Sequence, residues 1–178
     1  MATEPPADAE LVAAYRGGDE TAAAVLVRRH APALERFLYS SGADVFELED
    51  LAQETFVRAF RRLDSWHGTV SLRSWLFAIA GNLLRDERRK QKGRRIVAID
   101  GYDFAGPTDP YAELAAIESE RRIRAGLAKL PRLQREVFLM RVQGGSGYAE
   151  IAAVLGTTSG AVRVHYHHAV KRLKELVR

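Results

Sequence analysis

Cysteine is absent from this chain. Without thiols there is no disulfide framework, no thiolate metal site and no cysteine nucleophile, a composition that suits a cytoplasmic protein. Long apolar runs are missing too. The longest, WLFAIAGNLL from Trp75 to Leu84, is about half of what a membrane-spanning helix needs. The opening MATEPPADAE is acidic and has no apolar centre, so it reads as no secretory signal. No glycine-rich phosphate loop, nucleophile elbow or zinc-ligand spacing is found. The expectation is a protein that is neither exported nor inserted in a membrane, needs no cofactor or metal, and is not an enzyme.

What is present is a chain of 178 residues, 47% hydrophobic, with a net charge of only +4. That is enough to bury a core in one domain or in two small helical ones. The sign of charge is unevenly spread. Arg85 to Arg95 holds seven basic residues against two acids, whereas Asp100 to Glu120 holds six acids and no base. Local blocks of this kind point to partners more directly than the total does.

Helical periodicity runs through almost every long segment. Helices are expected over roughly Asp8 to Arg16 and Asp19 to Tyr39, divided by RGGD. From Asp44, DVFELEDLAQETFVRAFRRLDSW puts Leu48, Leu51, Ala52, Thr55, Phe56, Ala59 and Leu63 on one stripe, with Asp44 and Glu47 spaced as a capping box. The other side is acidic first (Glu49, Asp50, Gln53, Glu54) and basic last (Arg58, Arg61, Arg62), which complements the helix dipole. Those carboxylates admit a catalytic or magnesium reading, but an acidic first turn is the commoner explanation. A fourth helix follows WHGTVS. The stretch KGRRIVAIDGYDFAGPTDPY loses the helical period and reads as a linker; Asp109 and Pro110 restart a helix as cap and first-turn residue. The fold class is all-α: two small helical domains, 1–95 and 113–178, joined by a flexible linker at 96–112.

The C-terminal domain ends in EIAAVLGTTSGAVRVHYHHAVKRLKE, two helices hinged at Gly156. Ile151, Ala152 and Leu155 face inward from the first, and Thr158 is placed to cap the second. There Val162, Tyr166, Ala169 and Leu173 face inward, leaving Arg163, Val164, His167, His168 and Lys171 outward. This is a helix-turn-helix pattern, with a second helix suited to the major groove of DNA. The bland alternative is a helical hairpin with a solvated basic face. His165 and His168 are spaced for chelation, but no carboxylate or cysteine completes a metal site. His30 and His67 read as isolated surface residues.

The segment LDSWHGTVSLRSWLFAIAGNLLRDERRK interleaves Trp66, Trp75 and Phe77 with Arg73, Asn82, Arg85, Arg88 and Arg89. Aromatic faces beside guanidiniums suit unstacked bases on a single strand. Trp75 is read as core; for Trp66, expected in a loop, a stacking role stays open.

Three segments in order, ELEDLAQETFVRAFRRLDSW, SLRSWLFAIAGNLLRDERRK and LPRLQREVFLMRVQGGSGYAEIAAVLGTTSGAVRVHYHHAVKRLK, strongly resemble a bacterial RNA polymerase sigma factor of the extracytoplasmic-function group, in the sigma-70 family. The resemblance runs from about Asp8 to the end. It implies that the N-terminal domain docks on the clamp helices of core RNA polymerase and opens the minus-10 element. The C-terminal four-helix domain would read the minus-35 element and touch the flap, and an anti-sigma factor would be a partner. By position it implies polymerase contacts at Asp50, Gln53 and Glu54. Trp66 and Asn82 fall where a flipped minus-10 base is gripped, with Arg85, Arg88 and Arg89 holding the strand's phosphates. Minus-35 contacts fall at Arg163, Val164, His167, His168 and Lys171. Val164 and His168 stand where relatives carry serine and arginine, and Gly147 replaces the usual serine cap before YAEIA. A free-standing helix-turn-helix regulator is the alternative; it would bind duplex DNA with no polymerase.

Overall fold

The structure is a computed structural model that describes residues 7–90 and 110–176, with side chains from 118 onward in the second segment. The N-terminal half contains α1 (Asp8–Arg16), α2 (Glu20–Ser40), α3 (Leu48–Arg61) and α4 (Leu72–Lys90). Single 3-10 turns at Val45–Glu47 and Leu63–Ser65 flank α3. The C-terminal half contains α5 (Pro110–Ala128), α6 (Arg132–Val142), α7 (Tyr148–Leu155) and α8 (Ser159–Leu176). Among the described residues there is no strand, and the expected linker falls outside them except for Pro110 onward, where α5 has already begun.

The stripe read on α3 is the buried one: Leu48, Leu51, Ala52, Thr55, Phe56 and Ala59 all face the core. Asp44 does cap, but it caps the 3-10 turn, accepting a hydrogen bond from the Phe46 amide at 3.0 Å. The α3 surface meets α2 and α4, where Phe37 and Phe77 stack with ring centroids 4.3 Å apart. Both rings are fully buried, and truncating either to alanine falls in the class of core changes that cost about 3–5 kcal/mol.

In the C-terminal half α8 packs against α6 and α7 through Val137, Met140, Ile151, Val162, Ala169 and Leu173. Gly156 ends α7 in the left-handed region, φ 65°, a conformation that a Cβ resists and that turns α8 across α7. Thr158 caps α8, its hydroxyl accepting from the Ala161 amide at 3.2 Å. Gly147 offers no side-chain cap to α7; instead the Glu150 carboxylate accepts from the Gly147 amide.

The two halves lie against one another. The Ser71 amide donates to Glu150 at 2.7 Å, and the Ser74 and Ser146 hydroxyls meet at 2.5 Å in a buried contact. Gln143 donates to the Ser40 hydroxyl. Arg124 donates to the Ala43 carbonyl while its guanidinium sits 3.9 Å from the centroid of the Tyr39 ring. These pairings connect residues 72 to 103 positions apart, so the two helical bodies read from the sequence share one interface.

Candidate nucleic-acid interface

The second helix of the helix-turn-helix pattern read from the sequence is α8. Arg163, Val164, His167, His168 and Lys171 are all exposed on it, and Val164 is 52% exposed although apolar. The inward set differs in one member: Val162, Ala169 and Leu173 are buried, while Tyr166 is half-buried, stacked on Phe138 at 6.1 Å and edge-on to Tyr148 at 6.0 Å. Arg163 is not a free cation. Its guanidinium lies 5.4 Å from the Tyr148 ring centroid, with Arg141 at 5.1 Å from the same ring, so the aromatic face steadies it. The imidazoles of His167 and His168 are 6.3 Å apart. His168 and Lys171 share an open groove with Gln134, Arg172 and Glu175.

On the N-terminal half, Asn82 and Arg85 are exposed on α4 one turn apart, at a spacing that places both on one face. Arg89 is exposed and lies 3.5 Å from Asp86. Arg88 behaves differently. It is half-buried, donates to the Ser41 carbonyl at 2.7 Å, and runs so close to Gly42 that a Cβ there would stand 2.6 Å from its Nη2. Gly42 has φ 93°, a conformation that a side chain resists.

Trp66 departs from the expectation. Its ring is buried, 6% exposed, and its indole N–H donates to the Val70 carbonyl at 3.0 Å. Arg16 of α1 donates to the carbonyls of Leu63 and Trp66, pinning the chain between α3 and α4. The ring packs in the core, where an indole buries its apolar body with its one donor satisfied.

His30 is a second correction. Read as a surface residue, it is buried, 3% exposed, with Nε2 at 2.9 Å from an Asp8 carboxylate oxygen; Arg29 donates to the other oxygen at 2.6 Å. Burial pulls the His30 pKa below its ordinary value, and outweighs the raising effect of Asp8. Nδ1 has no hydrogen-bond partner among the described residues, so a second ring proton would find no acceptor. His67 is exposed, as expected.

The acidic turn of α3 leaves Asp50 and Gln53 exposed. Glu54 is half-exposed and committed to Arg58, whose Nε lies 2.7 Å from its carboxylate; that hydrogen bond first, and neighbouring cations after it, hold Glu54 below the usual carboxylate range. Sequence reading missed Phe46, which is 73% exposed in the turn before α3. So exposed an apolar ring, four residues before Asp50 and seven before Gln53 in the sequence, is of the kind that interaction surfaces carry. Its position one step outside the helical stripe was the available signal. Among the described residues no group of histidines and carboxylates has metal-binding geometry, and no helix is long and apolar enough to cross a membrane.

Comparison with known proteins agrees with this layout. Residues 26–94 match the family described as Sigma-70 region 2, and residues 120–173 match Sigma-70, region 4. The chain is 32% identical over 146 residues to the ECF RNA polymerase sigma factor EcfG of Rhodopseudomonas palustris, covering 82% of this chain and 80% of the relative. It is 31% identical to the RNA polymerase sigma factor NccH of Alcaligenes xylosoxydans xylosoxydans, covering 98% and 97%. Among solved structures, CnrH in complex with the cytosolic domain of CnrY superposes with a TM-score of 0.73 at 31% identity over 97% of both chains. The sigma factor RpoE in complex with the anti-sigma factor NepR from Bartonella quintana gives 0.65 at 26% identity, covering 85% of this chain and 93% of that one. With region 2 on α2–α4, region 4 running from the C-terminal half of α5 through α8, and relatives matched over 80% and 97% of their length, the chain belongs to the extracytoplasmic-function sigma factors, the promoter-recognising subunits of bacterial RNA polymerase.

Proposed function

We propose a residue-level division of labour for this sigma factor. The outward face of α8, with Arg163, Val164, His167, His168 and Lys171, reads the minus-35 duplex; Val164 supplies apolar contact of the kind a thymine methyl accepts. Asn82 reads a base of the opened minus-10 strand, its amide pairing a base edge, and Arg85 and Arg89 hold the adjoining phosphates. Trp66 serves by holding the loop before α4 rather than by stacking. Asp50, Gln53 and Glu54 dock on the polymerase clamp, with the exposed Phe46 of the preceding turn as the apolar anchor. The protein acts in the cytoplasm as a binding subunit and catalyses nothing itself. Because the Bartonella relative is solved with an anti-sigma factor, a protein antagonist of that class is the partner we infer.

The observation that carries this reading is the run of exposed polar and basic side chains on α8 immediately after the left-handed Gly156 turn. Reconstitution tests it. Core RNA polymerase plus this chain is expected to give transcripts from a defined promoter that core alone does not initiate, and the chain is expected to co-purify with core. Tight duplex binding by the chain alone with no polymerase-dependent initiation would instead establish the free-standing regulator.

A further inference from the structure

Between the C-terminal end of α4 and the N-terminal end of α6 lies a cavity of about 320 Å3, lined by Arg85, Arg88, Arg89, Arg132, Arg135 and Glu136, with Ser41, Gly81 and Leu84 completing the wall. Among the described residues, five guanidiniums there face one carboxylate. Glu136 is buried and is committed to Arg132, which donates to both of its oxygens at 2.8 and 2.9 Å. Among the described residues no carboxylate pairs with Arg85, Arg88 or Arg135; Arg88 and Arg135 instead donate to the carbonyls of Ser41 and Leu127. The arginines of α4 sit at a helix C-terminus, where the dipole favours cations. Arg132 and Arg135 sit in the first turn of α6, where it opposes them. Burial, and then the facing Arg88 guanidinium, pull the Arg135 pKa down, only partly offset by Glu136. Like charges are thus gathered from two halves of the chain around an open space, at a cost that an anion would remove.

We propose that this cleft binds a compact anion carrying two linked phosphate groups, of the pyrophosphate class, with one phosphate on the α4 arginines and the other on Arg135 and the first-turn amides of α6. Guanidinium forks match phosphate oxygens bidentately, and the helix terminus adds its own N–H groups. Arginines stand on both walls, Arg85, Arg88 and Arg89 on α4 and Arg132 and Arg135 on α6, so each of two linked phosphate groups has guanidiniums to meet it. Arg85 and Arg89 are also the side chains that the proposed function gives to the minus-10 strand, so occupancy of the cleft withdraws them from promoter DNA; that consequence rests on the proposed function, whereas the site does not.

Isothermal titration of the full chain with sodium pyrophosphate, without polymerase or promoter, tests the site independently. Binding is expected at one site per chain, with orthophosphate at least about tenfold weaker because one wall goes unused. R135Q is expected to weaken pyrophosphate binding by about tenfold or more, and E136Q, which removes the one carboxylate that lines the cleft among the described residues and frees Arg132, to tighten it severalfold. A ten-nucleotide oligo-thymidine separates the two phosphate sources: its affinity is expected to be unchanged in R135Q. Loss of oligonucleotide binding equal to the loss of pyrophosphate binding would make the cleft a strand-phosphate groove and overturn the proposal. So would pyrophosphate affinities that are the same in wild type, R135Q and E136Q, or binding that does not saturate near one equivalent. Thermal melts establish that the variants are folded, and should R135Q not fold, the sign of the E136Q effect decides alone.

Discussion

Glu150 of α7 closes the N-terminus of a helix in the other half of the protein: its carboxylate accepts the Ser71 amide hydrogen at 2.7 Å, across 79 residues of sequence. The same side chain accepts from the Gly147 amide of its own helix. Burial alone would raise the Glu150 pKa, but the hydrogen bonds from Ser71, Ser74 and Gly147 together outweigh it and hold the carboxyl below its ordinary range. One acid therefore satisfies two backbone amides, Gly147 of its own helix and Ser71 before α4, and ties region 4 to region 2 while doing so.

Replacing that acid exposes the linkage. Glu150→Ala is expected to cost about 1–2 kcal/mol, the usual cost of losing a helix cap and its hydrogen bonds, read as a lower midpoint in urea. Because the folded carboxyl has the lower pKa, its contribution is fully present above the ordinary carboxylate range and disappears as pH falls through the folded value. The gap between wild type and Glu150→Ala should accordingly close in acid; a gap independent of pH would assign the loss to packing.

His30 titrates with the opposite chemistry and the same direction of pH. With its folded pKa depressed by burial, the unfolded chain binds the proton first, so stability is complete above the ordinary histidine pKa of about 6.5 and declines as pH falls below it. His30→Gln keeps a donor for Asp8 and removes the titration. Its melting temperature is expected to change less between pH 7.5 and 5.5 than that of wild type; parallel curves would clear His30 of the effect.

Phe46→Ala and Gln53→Ala are expected to leave thermal stability within about ±0.5 kcal/mol, as exposed positions usually do, while each weakens binding to core polymerase. The phenylalanine change should be the larger, because buried aromatic anchors dominate interfaces. Equal core affinities for wild type and both variants, measured by competition for core, would remove this turn from the interface.

Asn82→Ala should cost about 1–3 kcal/mol of discrimination at one minus-10 position and little elsewhere. A promoter library scored by initiation distinguishes this from a uniform loss, which would indicate backbone contacts in place of base reading.

His168→Arg places a permanent charge on the outward face of α8. At pH 8 the plot of log affinity against log salt for a minus-35 duplex is expected to steepen by about one counterion. An unchanged slope would leave Arg163 and Lys171 as the phosphate contacts on that face.

The sequence by itself determined the features that repeat within one or two helical turns. The α3 stripe, the inward Val162, Ala169 and Leu173, the Gly156 turn and the family resemblance all rest on residues three or four apart or on short ordered segments, where periodicity and steric rules act locally. Tertiary structure decided whatever depends on distant partners. His30 looks isolated until α1 brings Asp8 against it, 22 residues away. Trp66 looks like a loop residue until Arg16 and Val70 fold the loop inward around its ring. Arg88 looks like one more cation in a basic run until Gly42 and Ser41 admit it to the interior. In each case burial is settled by packing and by hydrogen bonds that close only when helices meet, and no local pattern encodes which helix will arrive.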